Sequence, residues 1–348
     1  MNKSNWRRVY QRRLISHALQ ASRWWPEEKK RFLERCSERK AFHQKKLLAD
    51  FFLCCLYPGI TEDDWYTFCF DCHDWSYRLK CISKQRQFFI CNYLNAEKDR
   101  KILSSKVLFA QHWNEFFLRK WCPIRPADPI DEDEFVKLFK DVDLLISKPI
   151  SDAGGRGIRV HETGNLSALY RQLLQEKKNL IVEEYIHQDG LLHELNPSSL
   201  NTLRVCTLRD ENEIRILFCK LRFGIPGNVV DNSHSGGTLV QIDRDSGRAI
   251  IAVDYNGNLL QTMPNLDIPV TDFQVPRFFE ALDWCRKAHL AGPEGLGLIG
   301  WDLCICRDRF YMIEANHLPA FTAPYHDDPW REMKDYLDRY DERRNREK

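Results

Sequence analysis

The chain has 348 residues, 43% of them hydrophobic and 29% charged, which is enough to bury a sizeable core and argues against large-scale disorder. Its 52 basic and 50 acidic residues leave a net charge of +2, so no global charge attracts nucleic acid or an anionic membrane. No apolar run approaches the roughly 20 residues that span a bilayer, and the N-terminus lacks a signal-peptide pattern. With 13 cysteines scattered through apolar stretches, we expect a cytoplasmic protein with reduced thiols.

Four regions follow from the texture of the sequence. Residues 1–100 are rich in Lys, Arg, Glu, Leu and Phe with few Gly or Pro, which indicates a helical N-terminal region. Residues 101–190 and 191–325 are expected to form two lobes in which strands and helices alternate. The highly charged residues 326–348 are expected to be a solvated helix or a frayed end.

Within the two lobes, the strands are predicted to come in antiparallel pairs with helices between them, so the expected class is α+β. The predicted helices lie over 106–118, 165–178 and 273–290. The predicted strands of the first lobe lie over 144–149, 158–161 and 180–186. In the second lobe we expect paired strands over 203–208 and 214–223, a second pair over 238–242 and 249–254, and a hairpin over 298–314.

A glycine-rich loop joins two of the predicted strands, with Gly154, Gly155 and Gly157 close together. Glycines let a backbone approach a phosphate and point several N–H groups at it. Lys148, at the end of the preceding strand, supplies a point charge for the same oxygens. The loop lacks the G-x-x-x-x-G-K-[ST] pattern, which disfavours a P-loop NTPase. A flexible hairpin turn would use the same glycines, so the loop alone leaves both interpretations open.

The last predicted hairpin carries two acids and an amide at strand spacing. If its turn is the three residues 307–309, Asp302 lies directly opposite Glu314, with Cβ atoms about 5 Å apart. Asn316, two residues further on, lies on the same face. Adjacent carboxylates repel, and oxygen ligands suit Mg²⁺, so the pattern predicts a magnesium site. The side chains expected on the other, core-facing side are Trp301, Leu303, Ile305, Tyr311 and Ile313.

Two alternatives stand beside the magnesium site. The acids could lie on a solvated face, where Arg307 and Arg309 would balance their charge. A turn one residue shorter would put Asp302 and Glu314 on opposite faces, and the argument for a cation would then not apply.

Five segments, in this order, carry a family resemblance. They are Lys148-Pro149 with the glycine loop, Val182–Ile186 (VEEYI), Asn201–Val205 (NTLRV), Asp231–Gly237 (DNSHSGG), and Gly300–Asp302 together with Glu314–Asn316. Over about residues 90–325 the chain resembles the ATP-grasp superfamily, and within it the sugar-transfer associated ATP-grasp family, which is related to α-L-glutamate ligases. The fold that this resemblance implies is two α+β lobes with a helical N-terminal extension.

The resemblance also implies where ATP and its metal bind. ATP would lie between the two lobes, with Lys106 and Lys148 on its phosphates and the glycine loop closing over them. Asp189 or Glu194 would bind the ribose. The segment that looks like the adenine hinge comprises Glu183, Glu184, Tyr185 and Ile186, and the residues that match the magnesium ligands are Asp302, Glu314 and Asn316.

Four further residues have roles at the reacting end of ATP. In the family pattern Arg204 lies near the transferred phosphate, and Arg222 would be its partner. Ser235 lies in a turn that could hold the acylphosphate oxygen or the acceptor. His234 is either a catalytic base, since an unperturbed His titrates near neutrality, or a hydrogen bonder that anchors the loop.

The function that the resemblance implies is an ADP-forming carboxylate–amine ligase, in which Mg²⁺ and ATP convert a carboxylate into an acylphosphate for attack by an amine. Its substrates would be small molecules, such as an amino acid with a sugar or nucleotide-sugar, in polysaccharide or secondary metabolism. One alternative is phosphoryl transfer to a hydroxyl. Another is a nucleotide-binding partner of a glycosyltransferase that does not turn over ATP.

Overall fold

The structure is a computed structural model that describes residues 5–35, 41–68, 70–151, 157–224, 237–254, 258–321 and 328–346. The chain divides into two compact units. The first comprises Met1–Leu94 and Leu318–Lys348, and the second Asn95–His317. Among the described residues, no helix is long and apolar enough to cross a membrane. The cysteines described in these ranges are free thiols, buried except for Cys72.

The first unit is helical in its described part, which confirms the helical N-terminal region. Its core is aromatic: the rings of Phe32 and Phe51 stack with centroids 4.3 Å apart, and Trp65 packs edge-on against both. Such pairs stabilise a core beyond their buried area. The helices are α1 (Asn5–Leu19), α2 (Ala21–Arg35), α3 (Ala41–Leu56), α4 (Glu62–Thr67), α5 (Trp75–Lys80), α6 (Lys84–Leu94) and α14 (Pro329–Arg346).

The charge of the C-terminal segment suggested a solvated helix or a frayed end, but one face of helix α14 is buried. Its Trp330, Met333, Tyr336 and Leu337 are buried on one face, at the spacing of an amphipathic helix. The backbone N–H of Trp6 donates to the buried carboxylate of Asp341 over 2.7 Å. The charged residues therefore cover a helix whose apolar face belongs to the core of the first unit.

The second unit contains both sheets of the described chain and the helices that cover them. Its helices are α7 (Glu97–Ser104), α8 (Lys106–His112), α9 (Asn114–Phe117), α10 (Glu132–Phe139), α11 (Leu166–Gln175), α12 (Leu191–Leu195) and α13 (Phe278–Leu290). Its strands are β1 (Trp121–Ile124), β2 (Leu144–Pro149), β3 (Arg159–Glu162), β4 (Leu180–Glu184), β5 (Thr202–Asp210), β6 (Glu213–Phe223), β7 (Thr238–Ile242), β8 (Ala249–Val253), β9 (Leu298–Ile305) and β10 (Phe310–Asn316).

The smaller sheet has four antiparallel strands in the order β1-β4-β2-β3. Helices α10 and α11 are capped by Asp131 and Asn165, which precede their first residues and whose side chains accept hydrogen bonds from the first-turn amides. Apolar side chains of both helices pack on the sheet, and this core contains Phe135, Phe139, Leu169, Leu173, Leu145 and Val182.

The larger sheet has six antiparallel strands in the order β10-β9-β5-β6-β7-β8. Alternate residues of these strands form the main core together with α13, and that core includes Leu203, Val205, Leu221, Leu303, Leu282 and Cys285. Because side chains alternate along a strand, the residues between them lie on the opposite face of the sheet. The antiparallel sheets with their separate helices confirm the predicted α+β class.

Two predicted helices differ from those observed. The helix expected over 106–118 is interrupted at Trp113, whose indole N–H donates to the Ala288 carbonyl over 2.7 Å. The helix expected over 273–290 begins at Phe278. Pro276 disfavours a helical conformation at the residue before it, so the helix begins only after the proline.

Candidate functional site

A row of four charged side chains crosses the larger sheet on the face opposite the main core. Glu314 of β10 pairs with Asp302 of β9, Asp302 pairs with Arg204 of β5, and Arg204 pairs with Lys220 of β6. Directly paired residues point to the same face of a sheet, so these four side chains are neighbours. We call them, with Arg222 two residues after Lys220, the charged row.

The predicted pairing of Asp302 with Glu314 is present, but the predicted turn is wrong. Ile305 pairs with Phe310, and the N–H of Cys306 donates to the Arg309 carbonyl over 3.0 Å, so the turn is the two residues 307–308, one fewer than predicted. The register then shifts between Met312 and Glu314, where β10 has a β-bulge. The bulge adds one residue to β10 and returns Glu314 to the position opposite Asp302.

The bulge also changes which side chains face the main core. Tyr311 and Ile313 were predicted on the core side with Trp301, but Tyr311 pairs with Cys304, which is on the face of Asp302. Tyr311 and Ile313 pack with the buried Cys304 in a separate apolar cluster. The expectation for these two residues is therefore wrong, while Trp301, Leu303 and Ile305 belong to the main core as predicted.

Asp302 is held by the two predicted arginines. Arg204 forms a two-pronged ion pair with the carboxylate, and its Nη2 donates to Oδ2 over 2.6 Å. The Nη2 of Arg222 lies 2.8 Å from the same Oδ2. Burial alone would raise the pKa of Asp302, but the two guanidiniums outweigh it and hold the pKa well below its usual range. Asp302 is therefore a buried, ionised carboxylate.

Glu314 is in the opposite electrostatic situation. Burial, and then the nearby Asp302 carboxylate, raise the pKa of Glu314 above its usual value. Asn316, whose Nδ2 lies 3.2 Å from Glu314 Oε1, keeps its amide oxygen for another partner. In the described part of the chain, no group of three or more His, Cys, Asp or Glu side chains could hold a metal ion. The ligands of a cation at this position would be the two carboxylates of Asp302 and Glu314 and the amide oxygen of Asn316. This all-oxygen set fits Mg²⁺, which prefers carboxylate and amide oxygens.

Lys220 belongs to the charged row although the sequence analysis did not single it out. It is 5% exposed, and burial, followed by repulsion from Arg204 and Arg222, lowers its pKa to about 7. The sequence did carry a signal, since Lys220 lies two residues before Arg222 on a predicted strand and therefore shares its face. With Lys220, the row has three basic side chains beside the two acids.

On the smaller sheet, Lys148 forms part of a buried ion triad. Its Nζ lies 2.8 Å from Glu183 Oε2, and the same oxygen accepts from Arg119 Nε over 2.8 Å. Burial alone would raise the pKa of Glu183, but Arg119 and Lys148 outweigh it and lower the pKa. Burial lowers the pKa of Lys148, while Glu183 and Glu314 act to raise it. Lys148 thus experiences the field of Glu314, at the edge of the charged row.

The predicted phosphate loop is described at its two ends. Gly157 has φ +73, and a Cβ there would come within 2.9 Å of Pro149, so this close return to β2 requires glycine. The backbone N–H of Lys106 donates to the Ile150 carbonyl over 3.4 Å, which brings α8 to the start of the loop. Gly154 and Gly155, like His234 and Ser235, lie outside the described residues.

The predicted adenine hinge follows β4. Two of its amides are used within the protein: the N–H of Glu184 donates to the Lys120 carbonyl over 2.8 Å and that of Tyr185 to the Leu144 carbonyl over 3.0 Å. Ile186 is buried in the apolar cluster with Cys304 and Cys306. The hinge therefore touches β9, the strand that carries Asp302.

The two candidate ribose ligands lie in different surroundings. Asp189 follows the hinge, and its Oδ1 accepts from the backbone N–H of Arg307 over 3.0 Å, which ties it to the β9–β10 loop. Glu194 is exposed on the short helix α12. Asp189 is thus the one of the two with a structural link to the hairpin that carries the acids.

Residues 161–324 match the family model described as sugar-transfer associated ATP-grasp, which confirms the resemblance over that stretch. No curated protein matches the chain. Among solved structures, a D-alanine–D-alanine ligase from Bacillus anthracis is 15% identical with a TM-score of 0.39, and the alignment covers 71% of this chain and 69% of that one. An N5-carboxyaminoimidazole synthetase from Staphylococcus aureus complexed with ADP is 10% identical with a TM-score of 0.42, covering 70% and 52%.

A third similar structure is the ATP-grasp ligase PsnB complexed with minimal precursor, Mg and ADP. It is 13% identical with a TM-score of 0.41, and the alignment covers 74% of this chain and 68% of that one. The chain thus spans 52 to 69% of the lengths of these three proteins. Similarity at this level does not identify an activity.

Proposed function

We propose that the protein is an ATP-dependent ligase that uses Mg²⁺ and ATP to convert a carboxylate into an acylphosphate for attack by an amine. The observation that carries this proposal is the charged row, in which an acid pair adjoins three basic side chains on one buried sheet face. Phosphoryl transfer between two anions needs such an arrangement, because both a cation and fixed positive charges must offset the phosphate oxygens.

Asp302, Glu314 and Asn316 are the proposed ligands of the metal. When bound, Mg²⁺ supplies charge neutralisation for the phosphate oxygens of ATP. Arg204 and Arg222 already contact Asp302, so they would hold that carboxylate in place and offset charge on the transferred phosphoryl group.

Lys148 and Lys106 are the proposed partners of the other phosphate oxygens, with the glycine loop between them. Lys148 Nζ lies 2.8 Å from Glu183 Oε2, and Lys106 lies where α8 meets the start of the loop. The family's own segment, with His234 and Ser235, is proposed to hold the acylphosphate oxygen or the acceptor.

The adenine ring is proposed to pack against the apolar cluster around Ile186, whose other members are Cys304, Cys306, Leu200, Tyr311 and Ile313. Since the amides of Glu184 and Tyr185 are used within the protein, the base would be bound by the backbone of Ile186 and by hinge carbonyls. Asp189 is the proposed ribose ligand.

The chemistry needs no protein nucleophile. A substrate carboxylate attacks the γ-phosphorus, the bond to the β-phosphate oxygen breaks, and ADP leaves with both electrons of that bond. The amine then attacks the acyl carbon, phosphate leaves with both electrons of the C–O bond, and the proton lost by the amine goes to the released phosphate or to solvent. The protein's part is to position the reactants and to offset charge, with Lys220 and Arg222 proposed to lie beside the substrate carboxylate.

The test is a screen of amino acids, sugars and nucleotide-sugars, singly and in pairs, for ADP formation. A ligase should release free phosphate together with ADP only when both a carboxylate and an amine are present. Glu314→Gln should lose this activity, whereas Glu294→Gln, the same change at an exposed position, should keep it. Phosphate retained on a hydroxyl product would show a phosphotransferase, and nucleotide binding without any turnover would show a binding partner; either result contradicts the ligase.

A further inference from the structure

The bulge in β10 determines whether Glu314 belongs to the charged row. From the loop to Met312 the ladder is regular, with Met312 opposite Leu303. If the ladder continued without the bulge, Ile313 would lie opposite Asp302, and Glu314 would lie opposite Trp301 on the side of the main core. Whatever holds the bulge therefore places the Glu314 carboxylate beside Asp302.

Arg119 contacts the bulge at its two carbonyls. Its Nη1 donates to the Met312 carbonyl over 2.8 Å, and its Nη2 to the Ile313 carbonyl over 3.4 Å. A bulge leaves backbone groups outside the regular ladder, and a buried carbonyl without a partner costs free energy. The guanidinium thus bonds both carbonyls at the point where the register shifts.

The smaller sheet holds this guanidinium in place. Glu183 accepts from Arg119 Nε over 2.8 Å and in turn binds Lys148, while the carbonyl of Phe117 accepts from Nη1 over 3.1 Å. The side chain of Arg119 is 1% exposed. A planar group with five donors can bond a carboxylate and three carbonyls at once, which a lysine ammonium with three donors cannot.

We propose that Arg119 is a positioning residue for the acid pair: by holding the bulge, it keeps Glu314 opposite Asp302. This inference rests on the proposed function, because it assigns Arg119 a role at the proposed metal site. The same guanidinium links that site to Lys148 through Glu183. One buried side chain, Arg119, would thus fix the positions of both Lys148 and the acid pair.

The test compares ADP affinity by calorimetry with and without Mg²⁺ in wild type, Arg119→Gln and Arg119→Lys. The expected result is that Mg²⁺ tightens ADP binding in wild type, and that this enhancement falls by about 10-fold or more in both variants. Arg119→Lys keeps the positive charge beside Glu183, so its loss of enhancement would come from the missing carbonyl bonds. Arg159→Gln removes an exposed arginine of the same sheet and should behave as wild type.

Deleting Ile313 makes the test specific to the bulge. With one residue fewer, a regular ladder puts the glutamate directly opposite Asp302, so Arg119 is no longer needed for the register. Arg119→Gln combined with this deletion should therefore regain the Mg²⁺ enhancement. Hydrogen exchange of wild type and Arg119→Gln under the same conditions should show faster exchange of the β10 amides in the variant, with the exchange of the β5 and β6 amides unchanged.

Three outcomes separate the proposals. If wild type binds no ADP, or binds it with no response to Mg²⁺, the proposed function fails. If wild type responds and Arg119→Gln and Arg119→Lys respond equally, Arg119 does not position the acids. The third outcome is that deletion of Ile313 alone preserves the Mg²⁺ enhancement, but Arg119→Gln combined with that deletion does not regain it. Arg119 would then act by a route other than the bulge, and the inference is overturned.

Discussion

Glu314 lies directly opposite Asp302, although the loop that joins their strands is one residue shorter than a regular ladder through this pair requires. The extra residue of the β10 bulge compensates for the shift that the loop introduces. Two departures from a regular hairpin thus combine to put one carboxylate beside another. The two acids nevertheless differ in their surroundings, since Asp302 binds two arginines and Glu314 does not share that pairing.

This difference predicts different stabilities for the two isosteric variants. Glu314→Gln should keep the midpoint of thermal unfolding, because burial already favours the uncharged form of Glu314. Asp302→Asn should destabilise the fold by about 3–5 kcal/mol, because it removes the carboxylate that pairs with the buried Arg204 and the partly buried Arg222. Both should lose Mg²⁺-dependent turnover. Urea unfolding and ADP release on the same preparations check this, and equal stability of the two variants would contradict the ion pairing.

Lys148→Met should weaken ATP binding by about 10-fold or more, through loss of one charged hydrogen bond to phosphate. The fold should persist, since Glu183 retains Arg119 as its partner. Calorimetric titration with ATP gives the affinity, and Lys178→Met, which removes an exposed lysine, is a suitable control. An unchanged affinity would remove Lys148 from the phosphate site.

Lys220→Met should raise stability and lower activity. Burial and two neighbouring arginines lower the pKa of Lys220 to about 7, so the protonated form costs free energy in the folded state at neutral pH. A methionine of similar length removes that cost, and we expect a gain of about 1–3 kcal/mol with reduced turnover. A lower unfolding midpoint together with normal kinetics would show that Lys220 serves the fold and not the reaction.

His289 should make the second unit sensitive to acid. Its Nδ1 lies 2.7 Å from Thr207 Oγ1 and its Nε2 2.8 Å from the Leu296 carbonyl, and burial lowers its pKa to about 3. Below its ordinary pKa the unfolded chain binds a proton that the native chain does not, so stability falls as pH drops from about 6.5 toward 3. By pH 5 the loss should be about 2 kcal/mol.

The measurement is urea unfolding at pH 7.5 and pH 5 for wild type and His289→Gln. The glutamine cannot titrate, so the difference in stability between the two pH values should shrink by about the same 2 kcal/mol. His187→Gln, at an exposed position, serves as the control. The same pH dependence in wild type and His289→Gln would mean that His289 titrates normally.

Much of the candidate site could be predicted from the sequence because strand geometry is local. Alternation along a strand shows that Asp302 and Leu303 face opposite sides, and spacing places Asn316 with Glu314. The strand β2 was predicted with its observed bounds, since an apolar run ended by a proline and a glycine loop gives a clear boundary. The turn of the last hairpin was not predicted correctly, because residues 306–309 include no glycine that would specify a turn type.

The sequence by itself determined which side chains are available and which of them share a strand face, since both depend on neighbours in the chain. Only the tertiary structure decided that Asp302 would bind Arg204 and Arg222, because that depends on β9 pairing with β5, a strand about a hundred residues earlier. It also decided that Glu314 would face Asp302 at all. That position depends on a bulge bonded by Arg119, and no local pattern indicates which distant guanidinium will reach the carbonyls of Met312 and Ile313.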